Sequence, residues 1–233
     1  MLLPHANSAQ FYDTVYSEMN AYTAQTVAAI QRCVQPPASI IDFGAGTGRI
    51  TLPLAHMNYR LTAVEQSREM CAVLQQQLKK HTINLPIQNC SIEHYEGERC
   101  AMALALFTVF SYSLTEALLR AQLQTICTHI VSGGYFFFDL PHLSLFESQE
   151  RTMRGIRKHI RIEESAEANI FNYSEHCVST RKKEAFAYHE EFQLRYWTPE
   201  FFAQILTEYG MKFIQTLPEF TDMEADYCLW QKQ

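Results

Sequence analysis

A chain of 233 residues is long enough for one α/β domain with a sizeable core. Apolar residues make up 47% and charged residues 19%, as in soluble globules, and a formal charge of −6 argues against a general nucleic-acid binder, which would be basic. The seven cysteines are odd in number and form no C-x-x-C pair. They read as reduced side chains of a cytoplasmic protein, not as a disulfide framework or a metal site. Met1 to Asp13 holds no basic stretch followed by an apolar one, so no signal peptide is expected. The longest apolar run, Ala101 to Phe110, is too short to span a bilayer, so no membrane partner is expected. Composition leaves the oligomeric state open, a homodimer included.

Ala9 to Val34 reads as helical, re-aimed near Ser17 to Asn20 and stopped before Pro36-Pro37. Ser39 to Leu54 organises the rest. Ile40, Ile41 and Phe43 form the apolar run of a buried parallel strand, and Arg49 to Ala55 resumes helical spacing. Between them Gly44, Gly46 and Gly48 remove three side chains in five residues, so a ligand can approach the backbone at the carboxyl end of a strand. A dinucleotide fingerprint needs a third glycine at position 49, where Arg49 stands. The next apolar run, Leu61 to Val64, ends at Glu65, an acid placed to accept from ribose hydroxyls. Glycines and acid together imply a nucleoside ligand, and the spacing favours one without a pyrophosphate.

Ser67 to Lys80 is predicted as a helix with Ser67 as N-cap and an apolar stripe of Met70, Val73, Leu74 and Leu78. Leu85 to Cys90 and Cys100 to Phe107 read as the third and fourth strands. Leu114 to Val131 reads as a helix closed by Ser132-Gly133-Gly134, and Tyr135 to Leu140 as the fifth strand. From Glu150 the pattern turns to the alternation of half-exposed antiparallel strands, over Thr152 to Ile162, Asn169 to Ser179 and Ala185 to Tyr196. Arg154, Arg157, Lys158 and Arg161 crowd the first of these, and Arg181, Lys182 and Lys183 fall at a turn. Such a cluster is either a solvated face or a site for an acidic substrate. Thr198-Pro199-Glu200 then starts a helix ending at Gly210, and Lys212 to Leu217 with Asp226 to Trp230 forms a closing strand pair.

Asp42-Phe-Gly-Ala-Gly-Thr-Gly48 together with Glu65 resembles the motif pair of class I S-adenosylmethionine-dependent methyltransferases, and the order of elements extends the likeness over about Phe11 to Trp230. The position of the insert, with Leu194-Arg-Tyr-Trp-Thr-Pro-Glu200, is similar to small-molecule N-methyltransferases, including those acting on amino sugars. The resemblance implies an α/β fold: a Rossmann-like seven-stranded sheet with helices on both faces, a closing antiparallel hairpin and an inserted antiparallel meander after strand five. It divides a single domain into an N-terminal lid (1–36), a cofactor core (37–149), a β insert roofing the substrate (150–196) and a C-terminal helix and hairpin (197–233). The cofactor it implies is S-adenosyl-L-methionine, with S-adenosyl-L-homocysteine as product. The matching positions are Asp42, Gly44, Ala45, Gly46 and Gly48 in the loop, Glu65, Gln66 and Met70 beyond the second strand, and Ser91 and Ile92 at the adenine. Leu106 and Phe107 fall near the sulfur, and Tyr12 and Tyr16 are the lid tyrosines. Ser91 stands where the family commonly has an acid.

The expected reaction is methyl transfer to a nitrogen or oxygen of a small molecule. The protein's part is to align the reacting atoms and exclude water. No Ser-His-Asp, Cys-His or metal constellation stands out. Candidate catalytic residues are His142, as a base after the fifth strand, Tyr112, as a substrate contact, and Asp139, which either holds a substrate amine or caps the loop. Two alternatives share the same motif: binding of the cofactor without transfer, and cyclisation of its aminobutyrate arm. A nucleotide-modifying role is disfavoured, because Phe107-Thr-Val-Phe110 stands where Asn-Pro-Pro-Tyr or Asp-Pro-Pro-Tyr is required.

Overall fold

The computed structural model describes residues 4–181, 184–220 and 222–233; Lys182 and Lys183 of the basic turn lie outside the described residues. The chain opens with α1 (Tyr12–Val15) and α2 (Asn20–Cys33), separated by a 3-10 turn at Ser17–Met19 where the sequence breaks its periodicity. Then follow β1 (Ser39–Phe43), α3 (Thr51–His56), β2 (Arg60–Val64), α4 (Arg68–Lys80), β3 (Ile87–Gln88), β4 (Cys100–Ala105), α5 (Glu116–His129) and β5 (Ile130–Pro141). The insert comprises β6 (Gln149–Met153), β7 (Ile156–Glu164), β8 (Ile170–Ser179) and β9 (Phe186–Arg195), and α6 (Pro199–Glu208), β10 (Met211–Thr216) and β11 (Ala225–Lys232) close the chain. One seven-stranded sheet has the order β10-β11-β5-β4-β1-β2-β3, and the insert forms its own antiparallel sheet β6-β7-β8-β9. β1 to β5 are parallel, and β11 runs antiparallel to β5 and β10.

Both faces of the central strands are apolar, because helices cover both. Ile41, Phe43, Ala103, Phe136 and Phe138 face α5 and α6, while Ile40, Met102, Leu104 and Phe137 face α2 and α3. Helix starts follow the local signals. The Ser67 hydroxyl accepts from the Met70 N–H, Thr115 from Leu118 and Thr198 from Phe201, with Pro199 at the first helical position.

Four boundaries differ from the sequence reading. The helix expected to run to Val131 stops at His129, and Ser132-Gly133-Gly134 lie inside β5 as a bulge instead of a helix cap. A Cβ on Gly134 would come within 2.8 Å of the Ala101 carbonyl, so the glycine permits strand-to-strand approach. The third strand shrinks to two residues at the sheet edge. The fourth ends at Ala105, because Phe107 and Thr108 turn to positive φ (67° and 65°). The strand read over Thr152 to Ile162 is two strands, β6 and β7, folded at Arg154-Gly155. No helix of the described residues is long and apolar enough to cross a membrane.

Candidate active site

The loop after β1 is held by backbone. The Gly44 and Ala45 N–H groups donate to the Val64 carbonyl at 2.8 and 3.1 Å, tying the loop to the end of β2. A Cβ on Gly44 would sit 2.6 Å from Val109, and one on Gly48 would sit 2.5 Å from Leu74, so these two glycines serve close packing. A Cβ on Gly46 would meet only the Gly44 carbonyl at 4.0 Å, leaving it the open face of the loop. Glu65 accepts from the Gly46 N–H at 3.0 Å and from the Ser67 N–H at 2.7 Å. It is buried, and burial raises its carboxyl above the usual range against these hydrogen bonds. Asp42 lies behind the loop and accepts from the Thr51 hydroxyl at 2.6 Å, fastening the start of α3; burial pushes its carboxyl up to about 6.

At the end of β4, the backbone N–H groups of Phe107 and Thr108 both donate to the Asp139 carboxylate, at 2.8 Å for Thr108. Asp139 is 1% exposed, and burial pushes its carboxyl up to about 7. Its visible role is to cap this left-handed turn, the second of its two expected roles. The turn aims Phe107 and Tyr112 at the space above the sheet.

Two cavities meet there. The first brings together Gly44, Ala45, Gly46, Glu65, Gln66, Met70, Ser91, Ile92, Leu106 and Phe107, with Tyr12 and Tyr112. Asp42 and Gly48 do not line it, being spent on the loop's own packing. The second, of about 740 Å³, lies between the seven-stranded sheet, the N-terminal segment and the inserted sheet, and holds Tyr16 and Asp139. His5, Tyr12, Arg49, Phe107 and Tyr112 line both cavities and form their junction. His142 lines neither; its imidazole lies 3.3 Å from Asp226 on a half-exposed surface, since β5 carries it beyond the cavity floor.

The N-terminal segment is tied to both halves of the molecule. Thr47 donates to Asp13 at 2.6 Å, the Ser8 N–H donates to Glu190 at 2.7 Å, and Phe11 stacks on Phe186 at 4.2 Å. His5 Nε2 is hydrogen-bonded to the Tyr112 hydroxyl at 2.8 Å, and burial lowers its imidazole to about 4. In the insert, Glu175 is 2% exposed and accepts from three hydroxyls: Tyr16 at 2.9 Å, Tyr173 and Tyr188.

Residues outside the sequence expectation complete the site. Arg49, read only as a missing glycine, lies between the rings of Tyr12 and Phe107, 5.5 and 4.9 Å from their centres. Its Nε and Nη2 are buried without a hydrogen-bond partner among the described residues. Glu93 supplies a carboxylate to the first cavity two residues after Ser91, whose hydroxyl is hydrogen-bonded to His94 at 2.8 Å. His5 gave no sequence signal, because only the folded N-terminal segment brings it to Tyr112. Among the described residues no group of three or more His, Cys, Asp or Glu side chains is arranged to hold a metal ion.

Residues 40–134 match the methyltransferase-domain family. Solved structures align over nearly the whole chain. An S-adenosylmethionine-dependent methyltransferase from Clostridium acetobutylicum ATCC 824 is 13% identical with a TM-score of 0.82, covering 96% of this chain and 97% of its own. An amino pentose methyltransferase of calicheamicin biosynthesis from Micromonospora echinaspora is 15% identical with a TM-score of 0.77, covering 95% and 96%. A sugar N-methyltransferase from Streptoalloteichus sp ATCC 53650 is 17% identical with a TM-score of 0.75, covering 95% and 92%. No curated protein matches the sequence. Residues 40–134 thus match a methyltransferase-domain model, and the chain as a whole shares its fold with solved S-adenosylmethionine-dependent methyltransferases.

Proposed function

We propose that the chain binds S-adenosylmethionine in the first cavity and passes its methyl group to a nitrogen or oxygen of a small molecule held in the second. The observation that carries this reading is the shared wall of the two cavities, at the carboxyl end of β4. The residues present fit the cofactor. Arg49 offers buried N–H donors without acceptors, suited to a carboxylate. Glu65 stands at the end of β2 for the ribose, and Ile92 and Glu93 suit an adenine ring and its amino group. When bound, the cofactor supplies a methyl already activated by positive sulfur.

The chain's own residues then do three things. Asp139 fixes the turn that presents Phe107 at the junction. Tyr112, hydrogen-bonded to His5, offers a polar contact to the acceptor; the lowered imidazole keeps His5 neutral near pH 7, so the pair carries no charge to repel a sulfonium. Residues 1–36 act as a lid and residues 150–196 as a roof, which exclude water and align the reactants. His142 has no part in this mechanism. A cavity of about 740 Å³ suits a small acceptor, since ligand sites usually span about 300–1,000 Å³. Free cysteines fit a reducing compartment such as the cytoplasm.

The test is product analysis after incubation with methyl-labelled S-adenosylmethionine and a panel of small amines and alcohols. Acceptor-dependent S-adenosylhomocysteine with label in the acceptor is the expected result. Methylthioadenosine would instead mean cyclisation, and cofactor binding without either product would mean a binding protein.

A further inference from the structure

The basic cluster of the insert divides by strand alternation. In β7, Ile156, Lys158 and Ile160 face inward, whereas Arg157 and Arg161 are exposed, Arg161 beside Glu163. The antiparallel register sets Arg151 of β6 directly opposite Lys158. Opposite residues share a face, their Cβ atoms about 4.5–5.5 Å apart, and like charges so placed are destabilising. Both cations line the second cavity. Lys158 is only 8% exposed, and among the described residues neither it nor Arg151 has a hydrogen-bond or ion-pair partner on its side chain.

Two carboxylates, Glu175 and Glu18, lie near enough to favour the charged Lys158, but neither is hydrogen-bonded to it. Glu175 accepts from Tyr16, Tyr173 and Tyr188, and the Lys158 ammonium sits over the Tyr16 ring at 4.0 Å. Glu18, on the same cavity, keeps one carboxylate oxygen buried without a donor among the described residues. The Lys158 ammonium opens on the cavity opposite a second cation, and an anion between the two would accept from both and relieve their repulsion. The open Glu18 oxygen would accept from a hydroxyl or amine on the same molecule.

We propose that Arg151 and Lys158 form an anion subsite, so that the methyl acceptor is a polar hydroxyl- or amine-bearing molecule with one carboxylate or phosphate group. This rests on the second cavity being the acceptor site. The test is calorimetric titration of the full chain with inorganic phosphate and, separately, acetate, at constant ionic strength, with and without S-adenosylhomocysteine. Wild type is compared with Lys158→Met and with Arg151→Gln, an exposed position that keeps the test valid if Lys158→Met does not fold. Saturable binding of one of the two anions, unaffected by S-adenosylhomocysteine and weakened about tenfold or more in either variant, is expected. The tighter of the two identifies the group. No saturable binding to wild type, equal binding to the variants, or displacement by S-adenosylhomocysteine would overturn the subsite, the last by placing the anion on the cofactor side. Failure of S-adenosylhomocysteine itself to bind would count against the cofactor reading alone.

Discussion

The first cavity is walled on its loop side by backbone, and the second by side chains. The first wall is a glycine loop whose N–H groups donate to Val64 and Glu65 at the end of β2, within one strand-helix-strand unit. The second gathers His5, Tyr16, Tyr112 and Lys158 from separate segments, His5 meeting Tyr112 across 107 positions of sequence. A backbone wall tolerates few changes of shape but is built locally. A side-chain wall can be respecified residue by residue, which suits the acceptor-selecting role proposed for it.

Substitutions should separate the two walls. The largest effect is expected at Glu175. Replacing it with alanine leaves the hydroxyls of Tyr16, Tyr173 and Tyr188 buried without their acceptor, a loss of about 3–5 kcal/mol in urea unfolding. A loss below about 1 kcal/mol would show that the network is not structural. Next, Gly48→Val forces a side chain onto Leu74 at φ +97° and should cost about 2–4 kcal/mol on the cofactor side. An unchanged unfolding midpoint would contradict the close packing. Gly46→Leu sharpens the contrast, because its side chain points into open space. Stability should fall by about 1–2 kcal/mol through backbone strain at φ +56°, while affinity for S-adenosylhomocysteine falls about 100-fold. Equal losses at both positions would remove the distinction between packing glycine and site glycine.

The smallest effect is on pH. The folded chain holds His5 at about 4, below its ordinary 6.5, so between these values the unfolded or displaced segment binds more protons. The contribution of His5 is therefore full above about 6.5 and is lost as pH falls towards 4. Limited proteolysis near the N-terminus should accelerate over that range in wild type, and His5→Gln should flatten the dependence. Asp139, raised to about 7 from 3.8, contributes with opposite sign: its part of stability falls as pH rises from about 4 to 7. A rate that tracks pH equally in His5→Gln would assign the effect elsewhere.

How much could be read from the sequence follows the same division. Ser39 to Glu65 was legible because its signals are local: an apolar run, three glycines and an acid at the tip of the next strand, which the structure gathers at one cavity edge. The misplaced boundaries have local causes too. Ser132-Gly133-Gly134 carries the composition of a helix cap, but its glycines serve a strand bulge that only the neighbour Ala101 reveals. The turn at Arg154-Gly155 was missed because only Thr152 and Met153 of the stretch precede it, too few for the change of phase between Met153 and Ile156 to show. Arg49 was visible but read as the absence of a glycine. His5 and Glu175 were not legible at all, and Tyr16 only as a tyrosine without its partner, since nothing in the chain near them signals a contact made across the fold.

The central claim is that the glycine loop and Glu65 form a cofactor site for S-adenosylmethionine. Calorimetric titration of S-adenosylmethionine and S-adenosylhomocysteine into wild type and Glu65→Ala tests it most directly. Binding of both to wild type in the micromolar range, about −8 kcal/mol, with a loss of tenfold or more in the variant, is predicted. No binding of either ligand to wild type, or unchanged affinity in Glu65→Ala, would contradict it and leave only the fold in common with methyltransferases.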